Sequence, residues 1–235
     1  IVEGGAARSL KPFPPAPRAA FCVFEKVYFA RPDSIFDGRG VLADRQALGA
    51  ELARQMKGIS ADCVVPVPDS GVPHAMGFAR ESGLPLEMGL VRNHYIGRTF
   101  IQPGQAARDM SVRLKLAPVK AVLKGRRIVL IDDSVVRGTT SRRIVALLRK
   151  AGAREIHMAI ASPPIVGPCF YGIDTPRRSE LIAATRSREA IRRFLGADSL
   201  DYLSIDGLLR ATGGAADTTC TACFKLLRAP SRSKL

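Results

Sequence analysis

Two adjacent carboxylates, Asp132 and Asp133, follow a run of apolar residues and precede a loop rich in hydroxyl groups and glycine. This loop, SVVRGTT, offers backbone N–H groups and the hydroxyls of Ser134, Thr139 and Thr140, and it leads into an amphipathic segment. Free N–H groups and the positive end of a helix dipole favour a phosphate at such a place. Carboxylates would repel that phosphate unless they bind sugar hydroxyls or a bridging Mg²⁺. The pattern therefore predicts a phosphorylated sugar, with its phosphate in the loop and its diol at the acids.

Neither a GxxxxGK(S/T) loop nor a GxGxxG fingerprint occurs in the chain, so the usual nucleotide motifs do not explain this stretch. The alternative is an acidic pair that only caps the following helix. The combination of apolar run, two acids, hydroxyls and Gly138 favours the ligand site over that alternative.

The surrounding segments alternate between strand and helix patterns. Strands are predicted at ADCVVPVP (61–68), GRRIVLIDD (125–133) and REIHMAIASPP (154–164), and paired strands at AFCVFEKVYFARPDS (20–34). Helices are predicted at RQALGAELARQM (45–56), VPHAMGFARESG (72–83) and TTSRRIVALLRKAGA (139–153), the last two stopped by glycines. This order predicts an α/β fold with a parallel sheet flanked by helices and with ligands outside the carboxyl ends of the strands.

The formal net charge of +15, from 36 Lys and Arg against 21 Asp and Glu, suits an anionic partner such as a polyphosphate or a nucleic acid. Aromatic residues make up only 6% and Trp is absent, so no stacking platform is visible and nucleic acid is not expected. No apolar run is long enough to span a membrane, and no signal-peptide core opens the chain. Five cysteines, an odd number, argue against a disulfide framework and for a reducing, cytoplasmic location.

The acidic stretch resembles the PRPP motif of the phosphoribosyltransferases, where PRPP is phosphoribosyl pyrophosphate. Six further blocks resemble the C-terminal half of the amidophosphoribosyltransferase family, in the family's order from Cys22 to Phe224: FEKVYFARPDS, VPVPDSG, RNHYIGRTFIQP, VRLKL, SPPIVGPCFYGID and ADSLDYLSIDGLL. The resemblance implies a type I phosphoribosyltransferase fold with a flexible lid loop. It also implies synthesis of phosphoribosylamine and pyrophosphate from PRPP and ammonia, the first step of purine (IMP) biosynthesis.

The resemblance divides the chain into three parts. Residues 1–20 would be an extended linker from an N-terminal glutaminase domain, residues 21–210 the phosphoribosyltransferase domain, and residues 211–235 a tail that carries cluster ligands. The family's glutaminase begins with a nucleophilic Cys, but this chain begins with Ile1, as a fragment or a processed product would. Glutamine hydrolysis is therefore not expected from these residues, and ammonia would come from solution or from a glutaminase domain or subunit. A homo-oligomer is expected.

The resemblance also assigns roles to residues. Asp132 and Asp133 would hold the ribose diol and Mg²⁺. The phosphate would bind to the loop formed by Ser134, Val135, Val136, Arg137, Gly138, Thr139 and Thr140. The pyrophosphate and Mg²⁺ would meet a second loop, formed by Asp69, Ser70 (a magnesium ligand) and Gly71. Backbone amides that open a helix at Val72 are physically suited to pyrophosphate.

The basic segment 92–115 lacks clear periodicity, which is typical of a functional loop or lid. Without the resemblance, this segment would be interpreted as a solvent-exposed basic loop. By resemblance it closes over PRPP, with Arg92, Tyr95, Arg98 and Lys115 neutralising the leaving group and excluding water. Tyr28 matches a tyrosine near the family's ammonia path, although a core aromatic is an equal alternative.

The cysteines carry one more expectation. A CxxC pair such as Cys220–Cys223 serves zinc, iron–sulfur clusters or redox chemistry. In the bacillus-type subset of the family, cysteines in these contexts hold a 4Fe–4S cluster, which the resemblance places on Cys22, Cys169, Cys220 and Cys223. Zinc is the alternative metal, and four unliganded thiols are the second alternative; Cys63 is expected in the core.

Two rivals to the enzyme remain: a PRPP-binding regulator without turnover on the same fold, and a nucleic-acid-binding protein. The lid segment 92–115 favours the enzyme over the regulator, and no motif supports nucleic-acid binding. Lys26 and His74 depart from the family's usual aromatic and Ala, which affects the expected packing of the tail and the partner interface more than the site.

Overall fold

The computed structural model describes residues 1–10, 19–93 and 116–225. Tyr95, Arg98 and Lys115, three of the residues predicted for the lid, lie outside these ranges. Arg92 lies inside them, at the end of a strand.

The strands are short outside the central sheet. They are β1 Val2–Glu3, β2 Ala6–Ala7, β3 Phe21–Cys22, β4 Ile35–Phe36, β5 Arg39–Gly40, β6 Cys63–Pro66, β7 Leu90–Arg92, β8 Leu116–Pro118, β9 Arg127–Asp132, β10 Glu155–Ile160, β11 Ser199–Tyr202 and β12 Thr219–Cys220. The helices are α1 Val41–Gln55, α2 Gly71–Ser82, α3 Lys120–Leu123, α4 Thr139–Lys150, α5 Ile182–Thr185, α6 Arg188–Leu195 and α7 Ile205–Thr212. A π-helix covers Glu25–Phe29, and 3₁₀ turns cover Arg178–Glu180 and Ala222–Phe224.

The central sheet has four strands in the order β11–β10–β9–β6, and every neighbouring pair is parallel. Because consecutive strands are joined through helices, their carboxyl ends meet at one edge of the sheet, where β6 ends at Pro66 and β9 at Asp132. The predicted α/β fold with a parallel sheet and flanking helices is confirmed. The sequence patterns placed these elements to within a few residues.

The sheet is covered on both faces, because alternate residues of its strands point to opposite sides. In β9, Val129 and Ile131 belong to one apolar cluster, which includes Leu48 of α1 and Phe78 of α2. Ile128 and Leu130 belong to a second cluster, with Ile144 and Leu148 of α4. The strand that carries the acids is therefore buried on both faces, which explains its uninterrupted apolar run.

The prediction of paired strands over 20–34 is wrong for most of that segment. Only Phe21–Cys22 forms a strand, and it pairs in parallel with Thr219–Cys220. The chain then turns into the π-helix, whose carbonyl groups are bound by a side chain from α1. Arg45 donates to the carbonyl oxygens of Lys26 at 3.0 Å and of Tyr28 and Ala30 at 2.7 Å. A distant guanidinium thus stabilises a conformation that local propensity does not favour.

Lys26 and His74, the two departures from the family pattern, both contact the region of the π-helix. Lys26 is buried, and its Nζ lies 2.9 Å from Asp44 Oδ2 and donates to the Thr212 carbonyl at 3.1 Å. The imidazole of His74 is fully buried between the carbonyl oxygens of Arg45 and Val27. Burial lowers the pKa of His74 to about 4, so the ring is neutral at physiological pH.

Helices α1 and α2 pack backbone against backbone. A Cβ added at Gly49 would lie 1.8 Å from the His74 carbonyl oxygen, and one added at Gly77 would lie 1.8 Å from that of Gln46. Among the described residues, no helix has both the length and the apolar character needed to cross a membrane.

Gly77→Ala should destabilise the protein by about 3 kcal/mol or more, because the added methyl group meets rigid backbone of α1. Urea unfolding measures the loss. Gly40→Ala is the control, since Gly40 has open space around it and should cost about 1 kcal/mol or less as a helix N-cap. Equal costs for the two variants would contradict close packing of α1 on α2.

Candidate functional site

A cavity of about 500 Å³ opens at the carboxyl ends of β6 and β9. It is lined by most of the residues predicted to bind PRPP, namely Ser70, Asp132, Asp133, Ser134, Val136, Arg137, Gly138, Thr139 and Thr140. The two loops that carry them are far apart in sequence and become neighbours because their strands pair, with Pro66 opposite Ile131.

The predicted phosphate loop ends at the start of α4. Gly138 is the N-cap residue and has a φ of 74°, a left-handed conformation that favours glycine. There is also no room for a side chain at Gly138, since an added Cβ would lie 2.8 Å from Ile182 Cδ1. No described side chain caps the first turn of α4, and that turn carries no acidic residue. The free N–H groups of this turn can therefore receive an anion.

Asp132 and Asp133 are both removed from water, with 9% and 5% of their surface exposed. Asp132 Oδ1 accepts the Asp133 backbone N–H at 3.0 Å, and Asp133 Oδ1 accepts the Ser134 hydroxyl at 2.6 Å. Burial, followed by the charge of Asp133, raises the pKa of Asp132 well above its usual value. Burial also raises the pKa of Asp133, although hydrogen bonds from the hydroxyls of Ser134 and Ser70 act against it. Two buried acids that share one site are suited to a divalent cation.

Arg45 is a residue of this site that the sequence reasoning missed. Its positive charge favours the ionised form of Asp133, while its N–H groups hold the π-helix. No motif distinguished it from Arg54, the other arginine of α1. It therefore joins the acids to the segment that carries Tyr28.

The remaining residues of the predicted PRPP set lie outside the cavity lining. Asp69 is exposed and forms an ion pair with Arg92, at 2.5 Å between Oδ2 and Nη1. Gly71 begins α2 beneath the site, where an added Cβ would lie 2.6 Å from the Ile131 carbonyl oxygen. Val135 is buried in the second apolar cluster. Asp69 follows a cis peptide bond after Pro68, which nothing in the sequence indicated.

Tyr28 and Phe29 lie at the mouth of the cavity, and each is about half exposed. The alternative that Tyr28 is a core aromatic is therefore wrong. The side chain packs against Phe29, with ring centroids 5.2 Å apart.

The opposite wall comes from Asp174, Thr175 and Pro176, which the sequence reasoning did not propose as site residues. They belong to the block SPPIVGPCFYGID and its continuation, so a block that matches the family was the available signal. Thr175 Oγ1 accepts the backbone N–H of Cys169 at 2.6 Å, which connects this wall to a second cavity.

That second cavity, of about 710 Å³, is lined by Cys22, Cys169 and Cys220. Cys22 and Cys220 are register partners in the β3–β12 pair. Burial, and then the neighbouring Cys22, Cys220 and Cys169, raise the pKa of Cys223 to about 12. The four thiols thus share one neighbourhood, but among the described residues no three His, Cys, Asp or Glu side chains are placed as metal ligands. Cys63 is fully buried, as expected of a core residue.

Comparisons with known protein families, sequences and structures all identify phosphoribosyltransferases. The model of the phosphoribosyl transferase domain family matches residues 32–162, more than half of the chain. An amidophosphoribosyltransferase of Methanocaldococcus jannaschii is 54% identical over 205 residues, which are 87% of this chain and 43% of that protein. The Bacillus subtilis amidophosphoribosyltransferase is 52% identical over 209 residues, 87% of this chain and 44% of that protein.

A solved structure agrees with these relatives. It is the glutamine PRPP amidotransferase from B. subtilis complexed with ADP and GMP, with a TM-score of 0.80 and 51% identity over 88% of this chain and 46% of that one. The resemblance to amidophosphoribosyltransferase seen in the sequence is confirmed. The chain spans less than half the length of the relatives that it matches.

Asp132→Asn should stabilise the ligand-free protein by about 1–3 kcal/mol at about pH 8, because it removes a charge that burial disfavours. Because the pKa of Asp132 is raised in the folded state, its contribution to the free energy of unfolding is present at low pH. That contribution is lost as the pH rises through the folded-state pKa. The advantage of Asn should therefore shrink at about pH 5.

Urea unfolding at both pH values measures this advantage. Asp201→Asn is the control, since Asp201 is a partly exposed partner of Arg188 and should change stability little. The prediction would be wrong if Asp132→Asn were less stable than the wild type at the higher pH, because the buried charge would then be compensated by its surroundings.

Proposed function

This chain belongs to the phosphoribosyltransferase family, and on that premise we propose that it is the catalytic phosphoribosyltransferase part of an amidophosphoribosyltransferase. Ammonia attacks C1 of the ribose of PRPP. The C1–N bond forms, the bond from C1 to the pyrophosphate oxygen breaks, and the attacking nitrogen loses a proton to solvent. The products are phosphoribosylamine and pyrophosphate, as in the first step of purine biosynthesis.

One observation carries the proposal: a pair of buried acids and an uncapped helix N-terminus line the same cavity. An anion-binding turn alone would suit many ligands. Buried acids beside it require a ligand that presents hydroxyl groups or a cation, and a sugar phosphate presents both kinds of partner. The 54% identity to a protein named amidophosphoribosyltransferase supports a nitrogen acceptor, which we propose is ammonia.

The chain's own residues would act by position and charge. The first turn of α4 and the loop from Ser134 to Thr140 would hold the phosphate. Asp132 and Asp133 would accept hydrogen bonds from the ribose diol and so orient C1. The reaction passes through a cation-like sugar, so positioning and electrostatic stabilisation can supply much of the rate enhancement without a catalytic base.

The ion pair between Arg92 and Asp69 connects the strand before the basic segment with the predicted pyrophosphate loop. We assign Arg92 to the charge of the leaving group, together with Tyr95, Arg98 and Lys115 of the lid. Exchange of the Asp69 carboxylate for pyrophosphate oxygens would place Arg92 on the departing group.

Asp132, Asp133 and Ser70 fit a magnesium ion, because the two acids are buried together and the Ser70 hydroxyl donates to Asp133. When bound, Mg²⁺ would neutralise negative charge at the acids and on the substrate. The raised pKa values of the acids imply that protons compete with the ion.

Ammonia would be supplied by a glutaminase domain or subunit outside these residues, and the relatives are more than twice as long as the part that this chain matches. Tyr28 and Phe29, exposed at the mouth of the cavity, are the residues that we place at its entry. We further propose a cytoplasmic homo-oligomer.

The donor chemistry of the second cavity suits a metal centre, because Cys22, Cys169 and Cys220 line it and Cys223 is their neighbour. We propose that Cys22, Cys169, Cys220 and Cys223 hold a 4Fe–4S cluster, with zinc as the alternative. When bound, such a centre would cross-link the tail to the sheet and hold the four thiols as thiolates.

Asp133→Asn should lower kcat/KM for PRPP about 100-fold or more, because the ribose loses a charged partner. Pyrophosphate release from PRPP and Mg²⁺, with ammonium chloride as the nitrogen source, measures the rate. Asp201→Asn serves again as the control and should keep wild-type activity. Wild-type protein that binds PRPP tightly but releases no pyrophosphate would favour the non-catalytic regulator.

Cys220→Ser should lower the metal content and the melting temperature of anaerobically purified protein, because the tail loses its cross-link. Cys63→Ala, which removes a thiol outside the cavity, should leave the metal content unchanged. Iron and zinc are both measured. Stoichiometric zinc without iron would contradict the cluster, and neither metal in wild-type protein would contradict both assignments.

A further inference from the structure

A single segment, Arg177–Leu195, contacts three successive residues of the phosphate loop. The Val136 carbonyl accepts the backbone N–H of Ile182 at 3.0 Å. Arg137 donates to Glu180 Oε1 through Nε at 3.1 Å and Nη2 at 3.0 Å. Beside Gly138, an added Cβ would lie 2.8 Å from Ile182 Cδ1 and 3.3 Å from Phe194 Cε1. The segment therefore supports the loop from its outer side by backbone, charge and packing.

Glu180 accepts hydrogen bonds through both of its carboxylate oxygens. Its second oxygen, Oε2, accepts the backbone N–H of Arg177 at 3.1 Å, so both carboxylate oxygens are engaged. The arginine side chain, 53% exposed, would otherwise sample many rotamers. Its pairing lowers the pKa of Glu180, chiefly through the hydrogen bond from Arg137, so the carboxylate is ionised at physiological pH.

From this geometry we propose that Glu180 is a positioning residue that holds Arg137 ready for the phosphate of the sugar substrate. The inference rests on the proposed function, in which the loop from Ser134 to Thr140 binds that phosphate. A guanidinium has five N–H donors, and Glu180 engages only those on Nε and Nη2. Arg137 lines the cavity, and we assign its remaining donors to phosphate oxygens there.

The competing interpretation gives Glu180 the opposite effect. A carboxylate near a phosphate site repels the ligand, and it could also compete with the phosphate for Arg137. Under that interpretation, removal of the charge would tighten binding. If Glu180 orients Arg137, removal loosens binding. The sign of the change in affinity therefore decides between the two.

The test measures binding of ribose 5-phosphate and, separately, of magnesium pyrophosphate by calorimetry. Glu180→Ala should weaken ribose 5-phosphate binding about fivefold and leave pyrophosphate binding unchanged, because only the first probe has the sugar phosphate. Glu180→Gln should lose less, since its amide oxygen can still accept from Arg137. Glu189→Ala is the matched control: Glu189 pairs with Arg192 on α6 and should affect neither probe.

The Arg137→Gln background separates positioning from a general loss of structure. If Glu180 acts through Arg137, Glu180→Ala should have no further effect on ribose 5-phosphate binding there. Equal weakening of both probes, an effect that persists in this background, or tighter binding would each overturn the proposal. Wild-type protein that binds neither probe would instead contradict the proposed function.

Discussion

Two carboxylates removed from water at the end of one buried strand form the constraint on which the rest of the site depends. Burial of an ionised carboxylate is unfavourable without compensation, and the raised pKa values of Asp132 and Asp133 express that cost, to which the charge of Asp133 adds at Asp132. The surroundings supply partners that are only partial: hydroxyls, one backbone N–H and the charge of Arg45. The buried acids therefore lower the stability of the ligand-free protein.

Arg45 connects that constraint to the rest of the fold. The same guanidinium whose charge favours the ionised form of Asp133 holds three carbonyl groups around the π-helix, and this helix presents Tyr28 and Phe29 at the cavity mouth. Buried His74 packs against the same backbone. Arg45 thus holds the backbone that carries these two aromatic residues and also acts electrostatically on one of the acids.

The sequence was most informative where local patterns carry the structure. The apolar run before the acids, the helical spacing after them and the glycines that stop two helices predicted the central elements and the acidic loop that lines part of the cavity. It was least informative where long-range contacts override local propensity, as in segment 20–34. The wall formed by Asp174–Pro176 was missed for a related reason, since nothing in those residues indicates which cavity they face.

The amino-acid sequence by itself determined the type of chemistry: two acids, an anion-binding turn and four spaced cysteines are properties of residue type and order. Only the tertiary structure decided which of these groups meet. Parallel pairing of β6 with β9 brings Ser70 to Asp133, and pairing of β3 with β12 brings Cys22 to Cys220. The physical reason is that contacts between distant segments depend on packing of the whole chain, which local periodicity does not encode.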